Sequence, residues 1–162
     1  MTEATIELIG SEELRRAMRD PEFVKGPATN FIRSVAFEVL GHAQQNAPSN
    51  FGRLRNSLTV DLKSRTGQVS ATVGSNLVYA KPVEYGSKPH WPPLAPIELW
   101  VRRKLRVPAA RSKSVAFLVA RKISRHGTPA QPFLGPALEQ SKGFADSALR
   151  ELGAEIELKW RR

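Results

Sequence analysis

The chain has no cysteine among its 162 residues. That excludes disulfides, zinc thiolates and thiol nucleophiles together, and it agrees with assembly in a reducing cytoplasm. Aromatic residues make up only 7% of the sequence, too few and too scattered for the interleaved aromatic and basic groove of a single-strand binder. The histidines are His42, His90 and His126, far apart and in different predicted elements. No HxH or HExxH spacing joins them, so they do not read as a metal site. No apolar run approaches the ~18 residues of a membrane span. The stretch Met1–Thr5 lacks the basic start and apolar core of a signal peptide. The expectation is therefore no metal, no cofactor and no membrane among the partners.

Catalytic patterns are missing too. Ser75 and Ser87 follow glycines, but neither sits in the G-x-S-x-G turn that exposes a nucleophile. Gly52, Gly67, Gly74 and Gly86 are dispersed and read as turns, not as a phosphate-cradling loop. Glu12 and Glu13 fall in the first turn of a predicted helix, where the dipole explains them. Glu84, between Val83 and Tyr85, is the carboxylate with the most particular surroundings. No histidine or second carboxylate stands near it in sequence to complete an acid–base pair. No enzyme is expected.

A chain of this length fits one domain, residues 1–162, and buries about 68–70% of its unfolded surface without a staple. Thr5–Ile9 reads as a short strand, and Ser11 caps a short helix to Met18. A long helix is expected from Pro27 to Asn46. Ala28, Phe31, Ile32, Val35, Ala36, Val39, Leu40 and Ala43 recur at three- and four-residue steps along it. Proline suits a first helical position, and Ala47–Pro48 stops the run. Leu58, Val60 and Leu62 alternate with polar residues, as do Val69, Ala71 and Val73, and Ser64–Gly67 turns between them. Leu77–Ala80 and Val83–Tyr85 read as a third strand, with Pro82 forcing an edge or a bulge. Four prolines between residues 86 and 96 mark an extended loop. Helices are expected over 96–105, 114–125 and from Pro136, with 106–113 a basic loop and Gly127 a helix stop. Ile156–Trp160 alternates and reads as a closing strand. The fold class is α+β: a small antiparallel sheet of four or five strands packed against the long helix, with further helices in the C-terminal half.

Three separated pieces stand out together. They are Ala47–Pro48 with Gly52–Arg53–Leu54–Arg55–Asn56–Ser57–Leu58, then Val78–Tyr79–Ala80–Lys81–Pro82–Val83–Glu84–Tyr85–Gly86, then Gly127–Thr128–Pro129 with Pro132–Phe133–Leu134–Gly135–Pro136–Ala137–Leu138. In that order they resemble the neck or tail-completion family of long-tailed phages, similar to minor tail protein Z, over about residues 28–150. The resemblance implies a virion protein of the head–tail joint, assembled in the bacterial cytoplasm as a homo-oligomeric ring. Such a ring extends the DNA duct between a head-closure or connector protein and the tail terminator or tail tube, with DNA passing through unheld. A defective-phage or gene-transfer particle part is a variant of the same reading, and so is the tail terminator itself.

Net charge is +10, from 25 basic and 15 acidic residues. The densest cluster is Arg102–Arg103–Lys104–Leu105–Arg106 with Arg111 and Lys113. Three readings stand side by side: a solvated helix end, an intersubunit salt-bridge surface, or the phosphate grip of a small basic DNA-binding protein. The expected protein interface gathers Tyr79, Glu84, Tyr85, Lys88, Trp91, Arg102, Arg103, Arg106, Arg111 and Lys113, because Trp and Arg are enriched at hot spots.

Overall fold

The computed structural model describes residues 21–48, 52–65 and 68–161. The expected strand at 5–9 and helix at 11–18 lie outside them, as do Thr66 and Gly67 of the hairpin turn. In chain order the elements are α1 (Pro21–Asn46), α2 (Arg53–Ser57), β1 (Leu58–Arg65), β2 (Gln68–Ser75), α3 (Ala80–Tyr85), α4 (Leu94–Lys104), α5 (Ala109–His126), α6 (Leu134–Gln140) and α7 (Lys142–Trp160). The class is α+β, with one two-stranded antiparallel sheet among the described residues. Contacts gather the chain into two compact units.

The first unit takes in α1 as far as Val39, the outer hairpin Val60–Val73 and α7. Helix α1 starts at Pro21, six residues before the expected Pro27, and passes straight through Pro27. An internal proline has no N–H to give to the carbonyl four residues back, here that of Phe23. The Lys159 ammonium donates to that carbonyl at 2.7 Å and stands 4.9 Å from the centre of the Phe23 ring. An ammonium from α7 thus replaces the missing backbone donor. The predicted apolar stripe is buried at Ala36, Val39 and Ala43, and half-buried at Phe31, Ile32 and Val35.

Residues 156–160 are helical, not a closing strand. Leu152 and Ile156 continue the four-residue step of Ala148, and a five-residue alternation is too short to separate a period of 2 from 3.6. Glu157 pairs with Arg161 one turn on, at 2.5 Å.

The second unit takes in Leu40–Thr59 and Gly74–Gln140. At the foot of the hairpin, hydroxyls form a relay. Leu77 N–H donates to Ser75 Oγ at 3.1 Å, Ser75 Oγ lies 2.7 Å from Ser57 Oγ, and Ser57 donates to the Leu54 carbonyl at 2.7 Å. The third strand expected at 77–85 is instead helix α3. Pro82 is its third residue, where an N–H has no intrahelical partner to lose, so proline is compatible with a first turn. Among the described residues the sheet accordingly has two strands, and residues 77–85 do not add a third. Helix α5 begins at Ala109, just after Pro108, and takes Arg111 and Lys113 out of the expected loop onto a helix. It packs on α4, and its buried residues Ser112, Ala116 and Ala120 are small and four apart, which lets helices approach closely. The buried Ser112 hydroxyl lies 2.7 Å from Glu98 Oε1 of α4. Helix α6 starts at Leu134, two residues before the expected Pro136, and the chain breaks at Ser141 before α7.

Candidate functional site

Glu84 sits near the C-terminal end of α3 and is 7% exposed. Its carboxylate accepts three backbone N–H bonds from a segment about fifty residues away. Oε2 takes Phe133 at 2.7 Å and Leu134 at 2.9 Å, and Oε1 takes Gly135 at 3.0 Å. These are the orphan donors at the start of α6, so one side chain caps a helix distant in sequence. Burial pushes the Glu84 carboxyl up, but the bonds from Leu134, Phe133 and Gly135 hold it, on balance, below its ordinary value of 4.5. Both carboxylate oxygens are taken by backbone donors.

The same two segments meet along an edge. Ser87 and Thr128 form an antiparallel bridge, with N–H to carbonyl distances of 3.0 and 3.2 Å. Their hydroxyls lie 2.9 Å apart, and Gln131 N–H donates to the Val83 carbonyl at 2.8 Å. Gly86 and Gly127 both have positive φ, 78° and 70°. A Cβ on Gly86 would stand 2.7 Å from the Thr128 carbonyl oxygen, and one on Gly127 would overlap the Ser87 carbonyl. Only glycine meets both demands. Phe133 beneath them is almost fully buried. The second and third sequence pieces are therefore one structural object: a clasp made of residues 83–87 and 127–135.

Between the halves of the clasp runs the α4–α5 helical hairpin. Residues 94–126 hold nine of the basic residues (Arg102, Arg103, Lys104, Arg106, Arg111, Lys113, Arg121, Lys122, Arg125) and one acid, Glu98. The hairpin's +8 is most of the chain's +10; the remaining 16 basic and 14 acidic residues nearly cancel. Arg106 is the one non-glycine with positive φ among the described residues, at 53°, just past the end of α4.

Of the expected interface residues, Tyr79, Tyr85, Lys88, Trp91, Arg102, Arg103, Arg106, Arg111 and Lys113 are exposed, and Glu84 is buried. Glu84 is therefore not available for a surface contact. Trp91 packs edge-on against Phe117 at 5.6 Å between ring centres. Residues Phe117, Leu118, Arg121, Lys122 and Arg125 extend the exposed surface beyond the predicted set. Their signal was present in the sequence as apolar and basic residues sharing one helical face. Tyr79, Pro82, Val83, Pro92, Ile97 and Trp100 help to line an apolar groove of about 620 Å³. His90, the groove's histidine, has Nδ1 2.9 Å from the Lys88 carbonyl and faces no carboxylate in the lining. Among the described residues no three His, Cys, Asp or Glu side chains converge as metal ligands, and no helix is long and apolar enough to cross a membrane.

Residues 28–86 match the family described as bacteriophage HK97-gp10, putative tail-component. The match is consistent with the neck and tail-completion resemblance of the motifs, and what it matches is a structural phage tail component, a part of the virion. It covers a little over a third of the chain and stops at Gly86, inside the clasp and before the basic hairpin. No curated protein and no solved structure is similar enough to the chain to count as a match.

Proposed function

We propose that the chain acts as a single neck or tail-completion domain at the head–tail joint. Copies form a ring that extends the DNA duct and connects the head connector or head-closure protein to the tail terminator or tail tube. The match over residues 28–86 carries this reading. The clasp supports it, because its one special carboxylate holds backbone rather than substrate. DNA passes through the lumen without specific binding, since each phosphate gripped adds affinity and salt dependence that a duct does not need. The contact surface is Tyr79, Tyr85, Lys88, Trp91, Arg102, Arg103, Arg106, Arg111 and Lys113, with Glu84 holding its base. The test is joining of heads to tails in an assembly assay with an Arg103→Glu/Arg106→Glu protein. The expected outcome is a folded protein that no longer supports joining.

One observation favours a second reading. The concentration of +8 in one helical hairpin suits a duplex DNA grip. That reading requires tight DNA binding with a salt slope of roughly −0.9 per phosphate contacted. The same double reversal would abolish such binding and leave joining intact.

A further inference from the structure

The outer face of the α4–α5 hairpin is both basic and apolar. Phe117 lies on one stripe of α5 between Lys113 and Arg121, four residues to either side, and Leu118 lies between Ser114 and Lys122. Trp91, Phe117 and Leu118 are 52%, 47% and 59% exposed, and Trp91 packs edge-on against Phe117. Exposed apolar residues ringed by charge are the layout of a protein contact, with an apolar centre and a polar rim. Against a phosphate backbone the apolar residues would release no counterions and would stay uncovered. The fitting occupant is a segment that is acidic and apolar at once.

Two stretches of the chain have this character, and the more acidic is residues 2–14, ahead of Glu151–Leu158 with three glutamates. Residues 2–14 carry Glu3, Glu7, Glu12 and Glu13, no basic residue, and Ile6, Leu8, Ile9 and Leu14. No other stretch of the sequence reaches an acidic excess of four. We infer that residues 2–14 of one copy dock on the α4–α5 hairpin of the next. The contact joins two different surfaces of identical chains. It is therefore heterologous, and it closes a ring when the rotation from copy to copy closes. Complementary charge sets which surfaces meet and in what register, and the apolar residues hold the contact once water leaves.

The inference rests on the ring reading for its setting, but its test does not. Two full-length variants are made, Glu7→Lys/Glu12→Lys/Glu13→Lys and Lys113→Glu/Arg121→Glu/Lys122→Glu, each checked for an unchanged melting temperature. Light scattering at moderate ionic strength should show wild-type protein associating, and each variant alone associating at least tenfold more weakly. Mixing the two variants brings reversed segment against reversed hairpin and should restore association. A Phe117→Ser/Leu118→Ser protein, with all charges kept, should also associate more weakly. A monomeric wild type overturns the inference. So do variants that associate as wild type does, and a mixture that stays apart. A hairpin variant that loses only binding to a 24-base-pair duplex overturns it in favour of nucleic acid. A restored mixture that never enters particles leaves the contact standing and sinks the tail reading. Particles that take up either variant normally when it is supplied alone sink the contact alone.

Discussion

Replacing Glu84 tests the clasp most directly. In Glu84→Ala, three N–H groups lose an ionised acceptor. The Phe133 residue is buried, so its donor finds no water, and an unsatisfied buried donor costs about 1–3 kcal/mol. Leu134 and Gly135 are more open, and water recovers part of their bonds. The sum is a loss of about 3 kcal/mol, or roughly 6–12 °C in melting temperature for a chain of this size. Glu84→Gln keeps the shape but turns an N–H₂ toward one of the donors, and should lose about half as much. The pH dependence gives an independent sign. The folded carboxyl lies below its ordinary 4.5, so the unfolded chain takes up the proton first. Its stabilisation is complete above the unfolded value and drains away as pH falls through the folded one. Urea unfolding at pH 7 and near pH 3 should therefore show wild type and Glu84→Gln converging in acid. A Glu84→Gln protein within about 0.5 kcal/mol of wild type at pH 7, the range of an ordinary surface change, would refute the clasp.

Gly127→Ala forces a Cβ into the Ser87 carbonyl at a positive φ, and should leave the protein largely insoluble or lower its stability by more than about 3 kcal/mol. Gly41→Ala, in open space within α1, should instead raise stability by about 0.5–1 kcal/mol, read by thermal melting. Arg106→Gly relieves the left-handed backbone after α4 and should gain about 0.5–1 kcal/mol while weakening head–tail joining. Val39→Asp places a charge in the buried stripe of α1, and urea unfolding or solubility should show loss of the cooperative fold.

How legible each part was depended on range. The hairpin was readable because Val69, Ala71 and Val73 alternate with polar neighbours and are half-buried on one face. Residues 77–85 misled because Val78, Tyr79, Val83 and Tyr85 favour strands, while the proline that argued for an edge was equally at home in a helix's first turn. Pro27 misled because proline is enriched where helices begin; that Lys159 supplies the missing donor from 132 residues away leaves no local trace. Glu84 was recognisable as unusual, and the two motif pieces were recognisable as travelling together. That one binds the other is a contact across 49 residues, beyond any periodicity. The outer face of α5 was written in the sequence as charge and apolarity at helical spacing within the expected 114–125 helix, and reading 106–113 as a loop separated Arg111 and Lys113 from it.

The clasp also closes a circuit. Ser87 and Thr128 meet, so everything between them leaves the frame and returns to the same point, like a handle fixed at both ends to one plate. Chain closure depends only weakly on the length enclosed, about 0.6 kcal/mol for each doubling. The handle can therefore lengthen, shorten or change its charge while the plate keeps its form. The exposed positions of residues 88–126 can therefore change while the clasp keeps its form.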